Sequence, residues 1–167
     1  MNVRIFDQNN IDNSEMEALL SLFCNSSIEP DYMSIGEISD VDTLKKVLLK
    51  PNLIHFFSYI DNSPVAYCQV IHKPESVNFN SGAKINAISV LPERRGQGLG
   101  RELLVEVITT LQKDVNIKNI YLDVVKDNVI AVNLYKEVGF EKVGELKNIF
   151  KKDDTLMDIE IYSLQVN

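Results

Sequence analysis

Hydrophobic residues recur along this chain with two periods, about every third or fourth residue in some segments and every second residue in others. A Ser14–Glu17 capping box precedes a first helical segment, and Asp42 is placed to cap a second one that Pro51 ends. Helical spacing predicts two further helices, at Glu102–Gln112 and Asn128–Val138. Apolar and β-branched runs predict strands at Val3–Phe6, Leu53–Ile60, Val65–His72, Lys84–Val90, Ile120–Val125, Phe140–Glu145 and around Met157–Ile161.

The order of these elements predicts the fold class. A strand and two helices are followed by antiparallel strands, and then strands and helices alternate to the end. This order favours an α+β domain with one mixed central sheet and helices on its faces. We find no repeat, low-complexity tract or linker, so residues 1–167 are expected to form a single domain.

Composition and charge narrow the function classes. The formal net charge of −7 argues against a nucleic-acid partner, whose phosphates require Lys and Arg. The acidity fits a cationic substrate, or it serves solubility alone. No apolar run is long enough to span a membrane, and the N-terminus does not resemble a signal peptide. Cys24 and Cys68 are expected to be reduced core residues, which favours a cytoplasmic protein.

The segment that points to chemistry joins the strand ending at Val90 to the helix that follows. Its sequence, Arg95-Gly96-Gln97-Gly98-Leu99-Gly100-Arg101, has three glycines and lies just after Arg94. Glycines let backbone N–H groups approach an anion, and the helix N-terminus adds its free N–H groups and dipole. The segment contains neither a G-x-G-x-x-G nor a G-x-x-x-x-G-K-[ST] string. It therefore predicts a pyrophosphate site of another kind, against the simpler interpretation of a glycine-rich turn.

Two motifs together resemble the GNAT superfamily of N-acetyltransferases. Arg95–Gly100 matches the family's [QR]-x-x-G-x-[GA] loop, and Asn128–Phe140 resembles its N-x-x-A-x-x-L-Y-x-x-x-G-F signature. The motifs occur in the expected order, one strand apart. The resemblance is tight over about Lys84–Glu145, whereas the N-terminal half agrees only in the order of its elements. It implies a GNAT-like sheet that splays in its middle.

The resemblance also implies the donor and the residues that hold it. The donor would be acetyl-CoA, and its pyrophosphate would bind the backbone amides of Gly96, Gln97, Gly98, Leu99, Gly100 and Arg101. Arg95 would support the turn or approach the phosphates. The pantetheine arm would pair with the strand at Ile88, Ser89 and Val90, because its amides present a peptide-like pattern of donors and acceptors. A backbone N–H near Ser89 or Val90 would polarise the thioester carbonyl.

The second motif supplies two further candidates. Asn128 matches a position whose side chain commonly contacts the cofactor, and it is also a suitable helix N-cap. Tyr135 matches the family's usual general acid, which would protonate or hydrogen-bond the departing CoA thiolate after direct attack of an amine on the thioester. The alternative for Tyr135 is core packing, because it lies on the apolar face of its helix.

The general base and the acceptor stay open. Some family members use a Glu on the strand equivalent to Lys84–Val90, but this segment has no carboxylate. Candidate bases are Glu29, Asp31, Tyr32, Asp123 or an ordered water. No residue spacing indicates a metal. The acceptor would be a primary amine of a small molecule or peptide. The alternatives are a non-catalytic acyl-CoA-binding module and an acyltransferase with a longer acyl-CoA, and a homodimer is an open question.

Overall fold

The computed structural model describes residues 2–6, 12–26, 38, 40–73 and 81–166 of the 167-residue chain. The strands are β1 Asn2–Ile5, β2 Leu53–Ile60, β3 Ser63–His72, β4 Gly82–Val90, β5 Asn119–Val125, β6 Glu141–Lys152 and β7 Thr155–Gln165. The helices are α1 Asn13–Ser26, α2 Val41–Leu48, α3 Leu99–Leu111 and α4 Val129–Glu137, and a short 3₁₀ turn covers Pro92–Arg94. Every predicted strand and helix is present, with shifts at several ends.

All seven strands form one mixed sheet in the order β1-β2-β3-β4-β5-β7-β6. Every neighbouring pair is antiparallel except β4 and β5, which run parallel and are connected through α3. The pairing of β4 with β5 runs from Gly82 opposite Asn119 to Ile85 opposite Leu122 and stops there. Both strands continue beyond this point, so the sheet opens in its middle, as predicted.

The helices cover both faces of the sheet, which confirms the predicted α+β architecture. On one face, α3 and α4 bury Leu103, Leu104 and Tyr135 against the inner strands. On the other face, α1 and α2 pack residues such as Leu19 and Leu44 against the aromatic side chains of β2 and β3. Burial of these two apolar layers is the main stabilising contribution to the fold.

The caps of the first two helices differ from the prediction. Asp12, not Ser14, caps α1, because its carboxylate accepts a hydrogen bond from the Glu15 backbone N–H at 2.8 Å. Asp40, not Asp42, caps α2, with extended φ and ψ of −150° and 163° and a 2.8 Å bond from the Thr43 N–H. Both helices begin earlier than predicted because the choice of N-cap depends on the backbone conformation, which the residue type alone does not determine.

The predicted start of α3 is also wrong, and β6 is long. Helix α3 starts at Leu99 rather than Glu102, because Gly98 serves as its N-cap in a left-handed conformation. Strand β6, whose beginning is predicted at Phe140–Glu145, extends to Lys152 and pairs with β7 through a turn at Asp153 and Asp154. The polar segment Lys151–Asp154 predicts a hairpin tip between these strands, and the turn at Asp153 and Asp154 confirms it.

Candidate active site

The loop between β4 and α3 has the backbone geometry of an anion site. Gly96 and Gly98 have positive φ values of 72° and 82°, a region that glycine enters without the steric cost of a Cβ. The first hydrogen bond of α3 runs from the Glu102 N–H to the Gly98 carbonyl at 3.0 Å. The glycine positions singled out in the sequence therefore shape the entrance to this helix.

Six consecutive backbone amides of this loop, from Gly96 to Arg101, donate no hydrogen bond to any described residue. The first N–H groups of a helix have no partner within the helix and can bind an anion. Residues before the helix that alternate between right- and left-handed backbone conformations point further N–H groups at the same anion. A Cβ built on Gly96 or Gly98 would meet no atom within 4 Å, so the space in front of these residues is open. The amides named in the sequence analysis are thus brought together in one loop.

Arg95 supports the loop from behind. Its Nε donates to the Val90 carbonyl at 3.0 Å, and its Nη2 donates to the Ser26 carbonyl at 3.1 Å. The guanidinium therefore joins the end of β4 to the last residue of α1, whose carbonyl carries the negative end of the helix dipole. Of the two roles left open for Arg95, these contacts favour support of the turn. Gly100 faces Leu134 and Val90, and a Cβ there would make ordinary contacts of 3.6 Å with both side chains.

The open part of the sheet begins where a β-bulge lies in β4. Gln69 pairs with Ala87 and Val70 pairs with Ile85, so Asn86 is the extra residue. The bulge reverses the alternation of β4: Ala83 and Ile85 face α3 before it, and Ile88 and Val90 face α3 after it. The backbone of residues 86–90 has no partner on β5, which leaves a strand edge that an amide-bearing chain can pair with.

Ser89 provides a separate test of whether a polar ligand fits this edge. Its side chain is buried, and its Oγ makes no hydrogen bond to any described residue. A buried hydroxyl without a partner costs about 1–3 kcal/mol, which a bound polar group would recover. Together with the free loop amides, this orphaned hydroxyl fits a cofactor that has both a diphosphate and an amide-bearing arm.

Tyr135 is buried on α4, and its ring packs edge-on against Phe140 with 6.0 Å between centroids. Burial raises the pKa of the Tyr135 phenol well above its usual range, and Cys68 and Asp123 add smaller increases. The phenol is therefore protonated at neutral pH and able to donate. Its hydroxyl makes no hydrogen bond within the described part of the chain, so core packing and a donor role are compatible.

The ends of α4 hold Tyr135 in place. Asn128 is the N-cap, since its Oδ1 accepts from the Ala131 N–H at 3.2 Å, as the sequence predicted. At the other end, Gly139 has φ +97°, its N–H bonds the Lys136 carbonyl, and the Phe140 N–H bonds the Tyr135 carbonyl. This is a Schellman motif, and it explains the glycine–phenylalanine pair at the end of the second motif.

Of the four residues named as candidate bases, Asp123 lies among the described residues. Glu29, Asp31 and Tyr32 lie outside the described residues. Asp123 on β5 forms an ion pair with Lys84 on β4, and this pairing favours a structural role for its carboxylate. His55 is buried, and desolvation lowers its pKa to about 4.

Sequence reasoning missed a chain of hydrogen bonds that reaches Asn86. Asn86 donates to Gln69 at 2.6 Å, Gln69 donates to Tyr67 at 2.9 Å, and Tyr67 contacts His55 Nδ1 at 2.8 Å. The available signal was a set of polar residues inside otherwise apolar strands, since buried polar groups require partners. Their joint location depended on strand register, which the residue pattern alone did not reveal.

The described residues contain neither a metal-binding cluster nor a membrane-spanning helix. No group of three or more His, Cys, Asp or Glu side chains in that part of the chain is placed to hold a metal ion. None of the described helices combines the length and apolarity needed to cross a bilayer.

Comparison with known proteins identifies the class to which this fold and loop belong. Residues 19–140 match the model of the acetyltransferase (GNAT) family, and the chain belongs to this family. Over 121 residues it is 25% identical to the spermine/spermidine N(1)-acetyltransferase of Bacillus subtilis strain 168, covering 69% of this chain and 80% of that enzyme. The ribosomal protein bS18 alanine N-acetyltransferase of Escherichia coli K12 is 32% identical over 80 residues. That match covers 48% of this chain and about half, 53%, of the E. coli enzyme.

Solved structures show the same fold over the whole chain. The ribosomal-protein-alanine N-acetyltransferase of Brucella melitensis superposes with a TM-score of 0.82 at 19% identity, covering 99% of this chain and 100% of that one. The acetyltransferase yncA of Salmonella typhimurium, solved with acetyl-CoA, has a TM-score of 0.77 at 17% identity and covers 100% and 95%. The family and fold predicted from the sequence are confirmed. The named activities of these relatives agree with the predicted enzyme class.

Proposed function

We propose that this protein transfers an acetyl group from acetyl-CoA to a primary amine of a small molecule or peptide. The observation that carries the proposal is the run of six amides from Gly96 to Arg101, beside the open edge of β4, that donate to none of the described residues. These features supply a diphosphate site and, next to it, a strand edge for an extended amide-bearing arm. Membership of the GNAT family and the N-acetyltransferase relatives support the same activity.

The residue roles follow from position. The loop amides would hold the diphosphate, with Arg95 fixing the loop against β4 and α1. The backbone of Ile88, Ser89 and Val90 would align the arm, and the free Ser89 hydroxyl is available to it. Bound acetyl-CoA supplies the thioester that the amine attacks. Tyr135, kept protonated by its raised pKa, would donate to the sulfur that departs.

The names of two relatives indicate which acceptor amines to test first. One is named for spermine and spermidine, and another for the alanine of a ribosomal protein. The net charge of −7 is compatible with a cationic acceptor such as a polyamine. Spermidine and a peptide with N-terminal alanine are therefore the first acceptors to test.

A thiol-release assay over a panel of amines tests the proposal. We expect acetyl-CoA to be consumed and free thiol to appear with at least one primary amine. CoA binding without thiol release on any amine would instead support a non-catalytic acyl-CoA-binding module. Faster release from longer acyl-CoA donors would identify an acyltransferase of another chain-length preference.

A further inference from the structure

Four polar side chains from three adjacent strands form one hydrogen-bonded chain that ends at the opening of the sheet. His55 lies on β2, Tyr67 and Gln69 lie on β3, and Asn86 lies at the bulge of β4. The first three side chains are buried, whereas Asn86 is half-buried. The linking distances are 2.8, 2.9 and 2.6 Å, which are those of well-formed hydrogen bonds.

The placement of the Gln69 amide sets the direction of the buried bonds. Its Nε2 faces the Tyr67 hydroxyl and donates to it, so the Tyr67 O–H is free to donate to His55 Nδ1. In this arrangement Nδ1 is the acceptor and the proton of the neutral ring is on Nε2, which makes no hydrogen bond within the described residues.

The Gln69 amide also sets the orientation of the Asn86 amide. Because the Gln69 Nε2 donates to Tyr67, its Oε1 is the atom that faces Asn86, so Asn86 must donate through Nδ2. The Asn86 Oδ1 is left as an acceptor with no partner in the described part of the chain. Asn86 is also the first residue of β4 beyond the last pair with β5, Ile85 with Leu122. This carbonyl oxygen therefore belongs to the residue at which the open edge begins, and the amide that carries it is held by Gln69.

We propose that Asn86 Oδ1 binds the acceptor amine, and that the Gln69–Tyr67–His55 chain holds it in position. This inference rests on the proposed function. An attacking amine must keep its lone pair free while its N–H groups are hydrogen-bonded. A carboxylate would favour the protonated ammonium, whereas a neutral amide oxygen accepts an N–H without adding charge. Asn86 is a substrate-binding residue in this arrangement, and Gln69, Tyr67 and His55 are positioning residues.

The test compares Asn86→Ala with a matched control, Asn119→Ala. Asn119 is a half-buried asparagine on β5 that also donates one side-chain hydrogen bond, to Ser163 at 2.7 Å, but it lies at the paired end of the strand. With spermidine and an N-terminal alanyl peptide as probes, Asn86→Ala should raise the amine KM about tenfold, the loss expected for one hydrogen bond to the substrate. The KM for acetyl-CoA should stay within about twofold, and Asn119→Ala should change neither value.

Two further measurements separate binding from structural effects. Tyr67→Phe should raise the amine KM by a smaller factor than Asn86→Ala and leave the KM for acetyl-CoA unchanged, because it acts only through Gln69. In CoA-saturated wild-type protein, titration with each probe should shift the side-chain amide NMR signal of Asn86, which is assigned by its absence in Asn86→Ala.

The possible results distinguish a failure of the Asn86 amine site from a failure of the proposed acetyltransferase function. Acetyl transfer with an unchanged amine KM in Asn86→Ala would overturn the inference and leave the proposed function standing. An equal rise of both KM values with a lowered melting temperature would also overturn it, because Asn86 would then be structural. An NMR shift without acetyl transfer would support the amine site and remove the proposed function. Neither a shift nor transfer would overturn both.

Discussion

Gly98 offers a direct test of the loop, because a substitution there combines a known backbone cost with a predicted loss of anion binding. Its φ of +82° is a conformation in which an L-residue costs about 1–2 kcal/mol. A Cβ at this position would meet no protein atom within 4 Å, so Gly98→Ala adds no clash inside the protein. For a domain of this size the strain alone should lower the melting temperature by roughly 2–8 °C.

The effect on acetyl-CoA should exceed what this strain explains. The new methyl group would stand in the open space in front of the loop amides. Loss of one hydrogen bond to a charged phosphate is worth about 1.5–3 kcal/mol, which is roughly a 10- to 150-fold weaker affinity. Isothermal titration calorimetry with CoA measures the affinity, and thermal unfolding without ligand measures the strain.

Gly139→Ala is the matched control for Gly98→Ala. Gly139 has a comparable φ of +97°, and a Cβ there would make an ordinary 3.5 Å contact with Leu164, but it lies at the far end of α4. We expect a similar fall in melting temperature and an unchanged CoA affinity. If both variants bind CoA as tightly as wild type, or if both lose affinity equally, the loop amides are not the phosphate site.

Three further outcomes are expected. Tyr135→Phe should lower kcat by tenfold or more and leave CoA affinity unchanged in calorimetry, and equal kcat values would remove the acid role. Arg95→Ala should destabilise the protein by about 1–3 kcal/mol and weaken CoA binding, because the loop loses its contacts with Val90 and Ser26; urea unfolding that matches wild type would contradict this. His55 has a pKa of about 4 in the folded protein and a pKa of 6.5 in the unfolded chain. As the pH falls between these values, the unfolded chain binds a proton that the folded protein does not bind. Wild type should therefore lose roughly 2 kcal/mol of unfolding free energy between pH 7 and pH 5 that His55→Gln does not lose, and parallel pH profiles would refute it.

The sequence predicted the elements and the glycine-rich loop between β4 and α3 because both depend on local patterns. A short segment is enough to predict the glycines of the loop, the helix N-cap at Asn128 and the glycine after α4. Helix starts at Asp12 and Asp40 were missed because several acceptable caps lie close together, and packing selects among them. The fold class was predictable for the same reason, since it follows from the order of elements.

The acceptor side was far less predictable. The hydrogen-bonded chain to Asn86 depends on the register of three strands and on a bulge, and neither is encoded in a short segment. Asp123 is a plausible base in the sequence, but the ion pair with Lys84 joins residues almost forty positions apart. Long-range pairing of this kind becomes visible only when the strands are assembled.

Because the pairing of β4 with β5 ends early, the sheet has more exposed strand edges than an ordinary open sheet. An ordinary open sheet has two free borders, here β1 and β6, and each can recruit a strand from another molecule. This sheet has a second pair of borders, on β4 and β5, that face each other across an interior gap closed at one end by four residue pairs. A foreign strand approaching that gap meets two halves that are still joined, whereas a slender linear molecule can enter from the open end. Among the described residues, the main-chain groups along this gap are thereby open to a narrow chain and shielded from the strands of neighbouring molecules.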